Sequence, residues 1–324
     1  MTRANLAGAS YLTLADFETS DPAMTRCLAM ARTAGRTDLP ILILGESGTG
    51  KTFLARAIHN SSPRASGPFV SFNAAALSDT LLDSQLFGHE KGAFTGALKQ
   101  VRGKFELADS GTLFIDEIAD MSPLAQAKIL RAVEYGEFER LGSEVLRNAD
   151  VRLISATHYP LAKFVNSDQF RSDLFYRIAG LTVTLPPLRE RPNDLRALVA
   201  AAVRSAARIQ GRTIAGLCPG AADALFGYSW PGNLRELDRV VHAAVALSEG
   251  ELIGEEAILL PGQDEANPRP SVPFAPATAD QSLGSVERAH VRNVLASLGG
   301  NKTRAARALG VSRSTLERKL AASK

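Results

Sequence analysis

Short apolar runs at Ile41–Leu44, Phe69–Phe72, Leu113–Ile115, Val151–Ala156 and Leu181–Leu185 recur through the first 190 residues of the chain. The run at Leu113-Phe114-Ile115 is continuous in hydrophobicity, which predicts a strand buried on both faces, as in a parallel sheet, and the other four look like strands of the same sheet. Helix-compatible segments separate them, so right-handed βαβ crossovers into one sheet are expected. From Pro261 to about Gly284 the pattern disappears: Pro261, Pro268, Pro270, Pro273 and Pro276 lie among small and polar residues, the composition of a semi-extended linker. Beyond it, helical periodicity returns. Asn301 can cap a helix over 302–309, Gly310 supplies a turn, and Ser312 can cap a second helix from about Arg313 to Ala321. Ala305, Ala306, Leu309, Val311 and Leu316 would form the contact between the two, a helix-turn-helix pattern. The expected fold class is therefore α/β, a parallel sheet followed by a small all-α domain.

Composition adds little until it is divided along the chain. At 324 residues, 45% hydrophobic and 22% charged, the chain is ordinary for a globular protein of two or three domains. No run approaches the roughly 18 apolar residues that span a bilayer. Asp16, Glu18 and Asp21 near the start do not fit a basic-then-apolar signal peptide, so a cytoplasmic location without a membrane partner is expected. Two cysteines, Cys27 and Cys218, and five dispersed histidines give no disulfide framework or structural metal spacing. The formal charge of +3 hides an asymmetry: residues 285–324 carry nine Lys or Arg against two acids, a net +7, which leaves −4 for the rest. A basic module on a mildly acidic body is the footprint of a phosphate-backbone binder, although a basic helix pair used for dimerisation has the same count. No internal repeat is evident, and residues 1–20 are too few for a sensor domain.

Candidate chemistry sits where the strands end. Gly45, Glu46, Ser47, Gly48, Thr49, Gly50, Lys51 and Thr52 match the GxxxxGK[ST] phosphate loop, with a strand before and a helix-compatible segment (Phe53 to His59) after. Glycines let backbone N–H groups face phosphates, and the helix N-terminus adds partial positive charge. Lys51 would reach the β and γ phosphates of ATP, and Thr52 would ligate magnesium. The run at Leu113 ends in Asp116 and Glu117, at the sheet edge where open α/β folds bind ligands. Asp116 suits the magnesium shell and Glu117 the orientation of an attacking water; alone, the pair could equally cap a helix. Asn73 and Thr157-His158 fall at the same edge.

With these parts in place the chain resembles the AAA+ activators of sigma-54 RNA polymerase, or bacterial enhancer-binding proteins, over nearly all of residues 20–324. The most specific elements are Phe87-Gly88-His89-Glu90-Lys91 running into Gly92, Ala93, Phe94, Thr95, Gly96 and Ala97, and the segment from Trp230 to Leu237 that reads WPGNLREL. The resemblance implies that the first is a loop contacting the sigma factor, with Phe94 and Thr95 at its tip and two glycines that let it move. It implies an AAA+ α/β ATPase subdomain over 21–187 after a short extension (1–20), a helical lid over 188–260, the linker (261–284), and a Fis-type helix-turn-helix domain over 285–324.

Further roles follow from the resemblance alone. Asn73 matches the residue that restrains Glu117 until the γ-phosphate is sensed, Thr157 the first sensor, and Arg235 the second sensor on the lid. Arg171 and Arg177 match arginine fingers given to a neighbouring subunit's ATP; read without the family, either is a surface ion-pair former, for instance with Asp173. Arg313, Ser314, Thr315, Arg318 and Lys319 would face double-stranded DNA at an upstream site. The implied activity is ATP hydrolysis by a ring, dimer to hexamer, that remodels sigma-54 holoenzyme from a closed to an open promoter complex. Two departures stand out. Thr52 follows the loop lysine where the family has an acid, and His158 follows the sensor threonine where the family has asparagine. Imidazole offers one neutral donor and titrates near neutrality, which would alter coupling or make it pH-sensitive. Control is expected from expression level, assembly, a trans-acting regulatory protein or a paralogous subunit. The competing expectations are a DNA-binding regulator that keeps the AAA+ fold for assembly without activating sigma-54, and a helicase loader or unfoldase of the wider group.

Overall fold

The computed structural model describes residues 11–75, 78–167, 169–261, 291, 301–312 and 314–316. They divide into two units, 1–260 and 261–324, each considered by itself.

In the first unit, strands β1 (Ile41–Leu44), β2 (Phe69–Asn73), β5 (Thr112–Asp116), β8 (Arg152–Thr157) and β9 (Leu181–Thr184) form one sheet in the order β2-β5-β8-β1-β9. Every pairing is parallel. The predicted strands are thus all present, with ends within about a residue of the apolar runs. Alternation within each run sends side chains to opposite faces. Ile41, Ile43, Phe114, Ile154 and Val183 pack with helices α1 (Pro22–Gly35) and α2 (Lys51–Asn60). Leu42, Leu113, Ile115 and Leu153 pack on the other face with α3 (Asp79–Phe87), α5 (Pro123–Tyr135) and α7 (Ser172–Ile178). The short helices α4 (Lys104–Leu107) and α6 (Leu161–Asn166) complete that layer. Because all strands run the same way, their carboxyl ends gather Leu44, Asn73, Asp116, Thr157 and Thr184 along one edge.

Two antiparallel hairpins project from the α/β body: β3 (Gly88–His89) with β4 (Val101–Arg102), and β6 (Glu137–Glu139) with β7 (Leu146–Asn148). A bridge from His89 to Leu141 joins them. After β9 comes the helical part, α8 (Pro192–Gln210), α9 (Pro219–Gly227) and α10 (Asn233–Leu247), with the two-residue strands β10 (Gly216–Leu217) and β11 (Leu252–Ile253). Proline opens α8 and Gly211, at φ 64°, ends it, the usual asymmetry of helix termini. Trp230 fills the centre of this lid, fully buried, its indole N–H donating to Leu225 O at 3.0 Å. Residues 11–20, expected as an extension outside the body, are part of it. Leu14 is buried, Asn60 donates to Leu12 O at 2.6 Å, and the Thr19 hydroxyl donates to Asp194 at the start of α8.

The second unit is described only in part. Helix α11 spans Lys302–Ala308, with the Asn301 side chain accepting from Arg304 N at 3.2 Å as a cap should. Gly310 takes a left-handed φ of 65°, and the Ser312 hydroxyl accepts from Thr315 N at 3.1 Å to start the next helix. Ala305, Ala306 and Leu316 are buried together with Val291, and Leu309 and Val311 flank them. No helix among the described residues is long and apolar enough to cross a membrane.

Candidate functional site

The phosphate loop leaves β1 and turns through Gly48 (φ 79°) and Gly50 (φ 104°), backbone angles that side-chain-bearing residues rarely adopt. Helix α2 starts at Lys51 with no side-chain cap, which leaves its first-turn N–H groups to an anion. The Lys51 side chain is buried and folds over the loop, donating to Gly45 O at 2.9 Å and Glu46 O at 3.4 Å. These carbonyls occupy the ammonium that a phosphate would otherwise take. Thr52 is exposed beside them.

Asp116 ends β5, and Glu117 follows in the left-handed region at φ 53°. For a residue with a Cβ this conformation costs about 1–2 kcal/mol, and such strain gathers at functional sites. Burial first, and then the neighbouring Glu117 charge, pushes the Asp116 carboxyl above the usual carboxylate range. A half-buried carboxylate beside another acid, with the exposed Thr52 hydroxyl at the same edge, fits a divalent cation. Glu117 is reached from two sides: Lys51 Nζ stands 3.6 Å from Oε1, and His158 Nδ1 lies 2.8 Å from Oε2. The expected Asn73–Glu117 contact is absent. Asn73 Oδ1 instead accepts from Ala75 N at 2.8 Å, which closes a turn after β2. Thr157 is fully buried; its carbonyl accepts from Gly45 N and its hydroxyl from Tyr159 N, so it fastens the phosphate loop to β8.

The lid closes directly onto the loop. Arg235 donates to Ser47 Oγ at 3.0 Å, Leu234 N to Gly48 O at 3.0 Å, and Asn233 Nδ2 to Ser47 O at 3.0 Å. Arg189 grips both oxygens of Glu46 at 2.6 and 2.8 Å, which holds that carboxyl below its usual range. Sequence reasoning placed Arg235 here but missed Arg189 and Asn233, although both stand in segments conspicuous in the sequence. It also missed a cavity of about 550 Å³ under α8, lined by Phe17, Met24, Gly50, Leu185, Leu198 and Leu234. This slot, whose wall also carries Asp16, Arg191, Asp194 and Arg204, adjoins the phosphate loop, where the base of a nucleotide would lie.

Arg171 and Arg177 are exposed and lie outside the chain's own loop-and-acid cluster. Arg171 pairs with Asp173 at 2.6 Å, and Arg177 donates to Glu134 O at 3.2 Å.

The 92–97 segment caps the β3–β4 hairpin. Gly92 N donates to Ala97 O at 2.9 Å, and Gly92 and Gly96 adopt φ of 85° and 104° with open space on the Cβ side. Thr95 is exposed, whereas Phe94 is half-buried, its ring edge-on to His89 at 5.0 Å. At the base, buried Arg140 bridges Glu90 and Glu106 at 2.9 and 2.7 Å, locking the two hairpins together. In the small unit, Ser314 is exposed and Thr315 half-buried; Arg313, Arg318 and Lys319 lie outside the described residues, as does most of the preceding 286–298 segment.

A phosphate loop on β1, two acids on the neighbouring-but-one strand, and a helical lid carrying Arg235 define a P-loop ATPase domain of the AAA+ class. Residues 17–184 match the sigma-54 interaction domain, 189–269 the AAA+ ATPase lid domain, and 282–322 the bacterial regulatory proteins of the Fis family. The chain belongs to the family of sigma-54-dependent transcriptional activators. It is 44% identical to the transcriptional regulatory protein ZraR of Escherichia coli (strain K12) over 92% of its own length and 67% of that protein's. With the Nif-specific regulatory protein of Klebsiella pneumoniae it shares 46% identity over 90% of itself, spanning 55% of that relative. Among solved structures, NtrX from Brucella abortus in complex with ATP superposes with a TM-score of 0.70 at 32% identity, covering 95% of this chain and 69% of that one.

Proposed function

We propose that this chain hydrolyses ATP and delivers the energy through the Phe94 loop to sigma-54 RNA polymerase holoenzyme, converting a closed promoter complex to an open one. The observation that carries this reading is the joining of two features in one compact unit. Lys51, Asp116 and Glu117 converge at the sheet edge, and a glycine-hinged loop stands on a hairpin locked to that body by Arg140.

Lys51, freed from the Gly45 and Glu46 carbonyls, neutralises β- and γ-phosphate charge while the loop N–H groups hold the phosphates. Magnesium, when bound, would supply further neutralisation there, with Asp116 and Thr52 the residues that hold it. Glu117 orients the attacking water and accepts its proton. Arg235 and Arg189 keep the lid on the loop, so nucleotide state is felt by the helical domain. Arg171 and Arg177, exposed and away from their own site, would exchange their Asp173 and Glu134 partners to serve an adjoining subunit in a ring. The NtrX complex with ATP supports the nucleotide, and the Fis-family match supports docking on double-stranded DNA through the tail, in the cytoplasm.

In vitro transcription with sigma-54 polymerase tests this, comparing the unaltered protein with Thr95→Ala and Glu117→Ala. Both variants should lose open-complex formation while retaining DNA binding. If both form open complexes normally, the chain is a DNA-binding regulator that keeps its ATPase fold for assembly alone.

A further inference from the structure

We propose that His158, rather than Asn73, is the positioning residue that restrains Glu117 between turnovers, an inference that rests on the ATPase reading above. Glu117 Oε2 accepts from the His158 ring at 2.8 Å and from the His158 backbone N–H at 3.3 Å. An ionised carboxylate only accepts, so the hydrogen bond places the imidazole proton on Nδ1. Two donors on one oxygen occupy the lone pairs that a catalytic water would use. The residue expected for this task is engaged elsewhere: Asn73 spends its side-chain oxygen on Ala75 N.

The backbone aims both partners. The left-handed Glu117 turns away from the line of β5, and its carboxylate meets the end of β8, the strand beside β5. The His158 ring is held in turn, its centroid 3.8 Å from that of Tyr159, which packs 4.9 Å from Phe164. Phe164 O accepts from Gln169 N and Phe170 N, immediately before Arg171. The restraint on Glu117 is therefore mounted on the segment that carries the candidate arginine fingers. A shift of that segment, such as docking on an adjoining subunit would cause, would draw His158 off the carboxylate and release Glu117.

Steady-state ATP turnover by the full chain, without polymerase, tests the restraint. His158→Ala should raise kcat about three- to tenfold, the size of one net hydrogen bond, with KM changed less than about twofold. His158→Asn, whose amide keeps one donor, should bring kcat back toward the unaltered value, and Asn73→Ala should raise it less than His158→Ala does. An unchanged or lowered kcat in His158→Ala, a change carried by KM, a His158→Asn variant as fast as His158→Ala, or a larger effect from Asn73 would each overturn the inference and leave the ATPase reading standing. Absence of turnover in the unaltered protein would overturn both.

Discussion

The nucleotide edge and the 92–97 loop are built on opposite terms. At the edge, Glu117 lies 3.6 Å from Lys51 and 2.8 Å from His158, Asn233 and Arg235 each donate to Ser47 at 3.0 Å, and one glycine there leaves no room at all: a Cβ on Gly48 would lie 2.3 Å from Gly232 O. In the loop, Gly92 and Gly96 face open space, and Phe94 is held by its carbonyl, which accepts from Ala97 N, and by the edge-on contact of its ring with His89. The edge is tightly held, in an arrangement that Lys51 and Glu117 leave when nucleotide is turned over; the loop is loosely attached and can change position at small cost. Its base, however, is as firmly fixed as the edge, through Arg140. Chemistry and delivery are thereby separated within one domain.

That separation predicts variants that strike one region and spare the other. The largest effect belongs to Glu117→Ala, which should lower kcat for ATP by about 10²- to 10⁴-fold while nucleotide still binds. Retained turnover would mean another group orients the water. Next is Asn233→Ala. Its buried side chain accepts from Leu188 N and donates to Ser47 O, so removal orphans buried groups and should destabilise by about 1–3 kcal/mol in denaturant melts. A change under a few tenths would show that the lid does not depend on this latch.

Asp116→Asn gives a smaller and pH-dependent effect. Because its folded-state pKa is raised, Asp116 favours folding only below its ordinary range, and that contribution is lost as pH rises through the folded value. In magnesium-free buffer the amide should therefore raise Tm at neutral pH and not at pH near 4. Equal shifts at both would remove the charge explanation. The smallest effect on the edge belongs to Phe94→Ala, which should leave ATP turnover within about twofold and cost about 1 kcal/mol or less, the scale of one aromatic pair. A tenfold loss of turnover would mean that loop and edge are not separable.

What the sequence disclosed follows the same division. The central strands β1, β5 and β8 are buried on both faces and were legible from runs such as Ile41–Leu44 and Leu113–Ile115, whereas the edge strands β2 and β9 are half exposed and showed only shorter or alternating apolar positions. The phosphate loop was legible because its glycines are required by φ. Asn301 and Ser312 announced their caps, since short polar side chains before periodic segments have little else to do. The two hairpins were not legible: Gly88–His89 and Glu137–Glu139 are too short for a period, and each depends on a partner elsewhere. Nor was the base slot, which assembles Phe17, Leu185 and Leu198 from three separate elements. The Glu117–His158 bond arises from a local left-handed turn that no pattern of residue types encodes. For Phe94 the sequence favoured an exposed loop tip over a tight turn with the ring tucked into the core, and the half-burial found lies between them because it depends on His89 at the hairpin base.

The most direct test of the account counts heparin-resistant open complexes formed per ATP hydrolysed, for the unaltered protein and for Thr95→Ala, with sigma-54 holoenzyme on a promoter carrying the upstream site. The account predicts that Thr95→Ala hydrolyses ATP at close to the normal rate and yields no open complexes. Open complexes formed by Thr95→Ala in the same proportion to ATP consumed would contradict it.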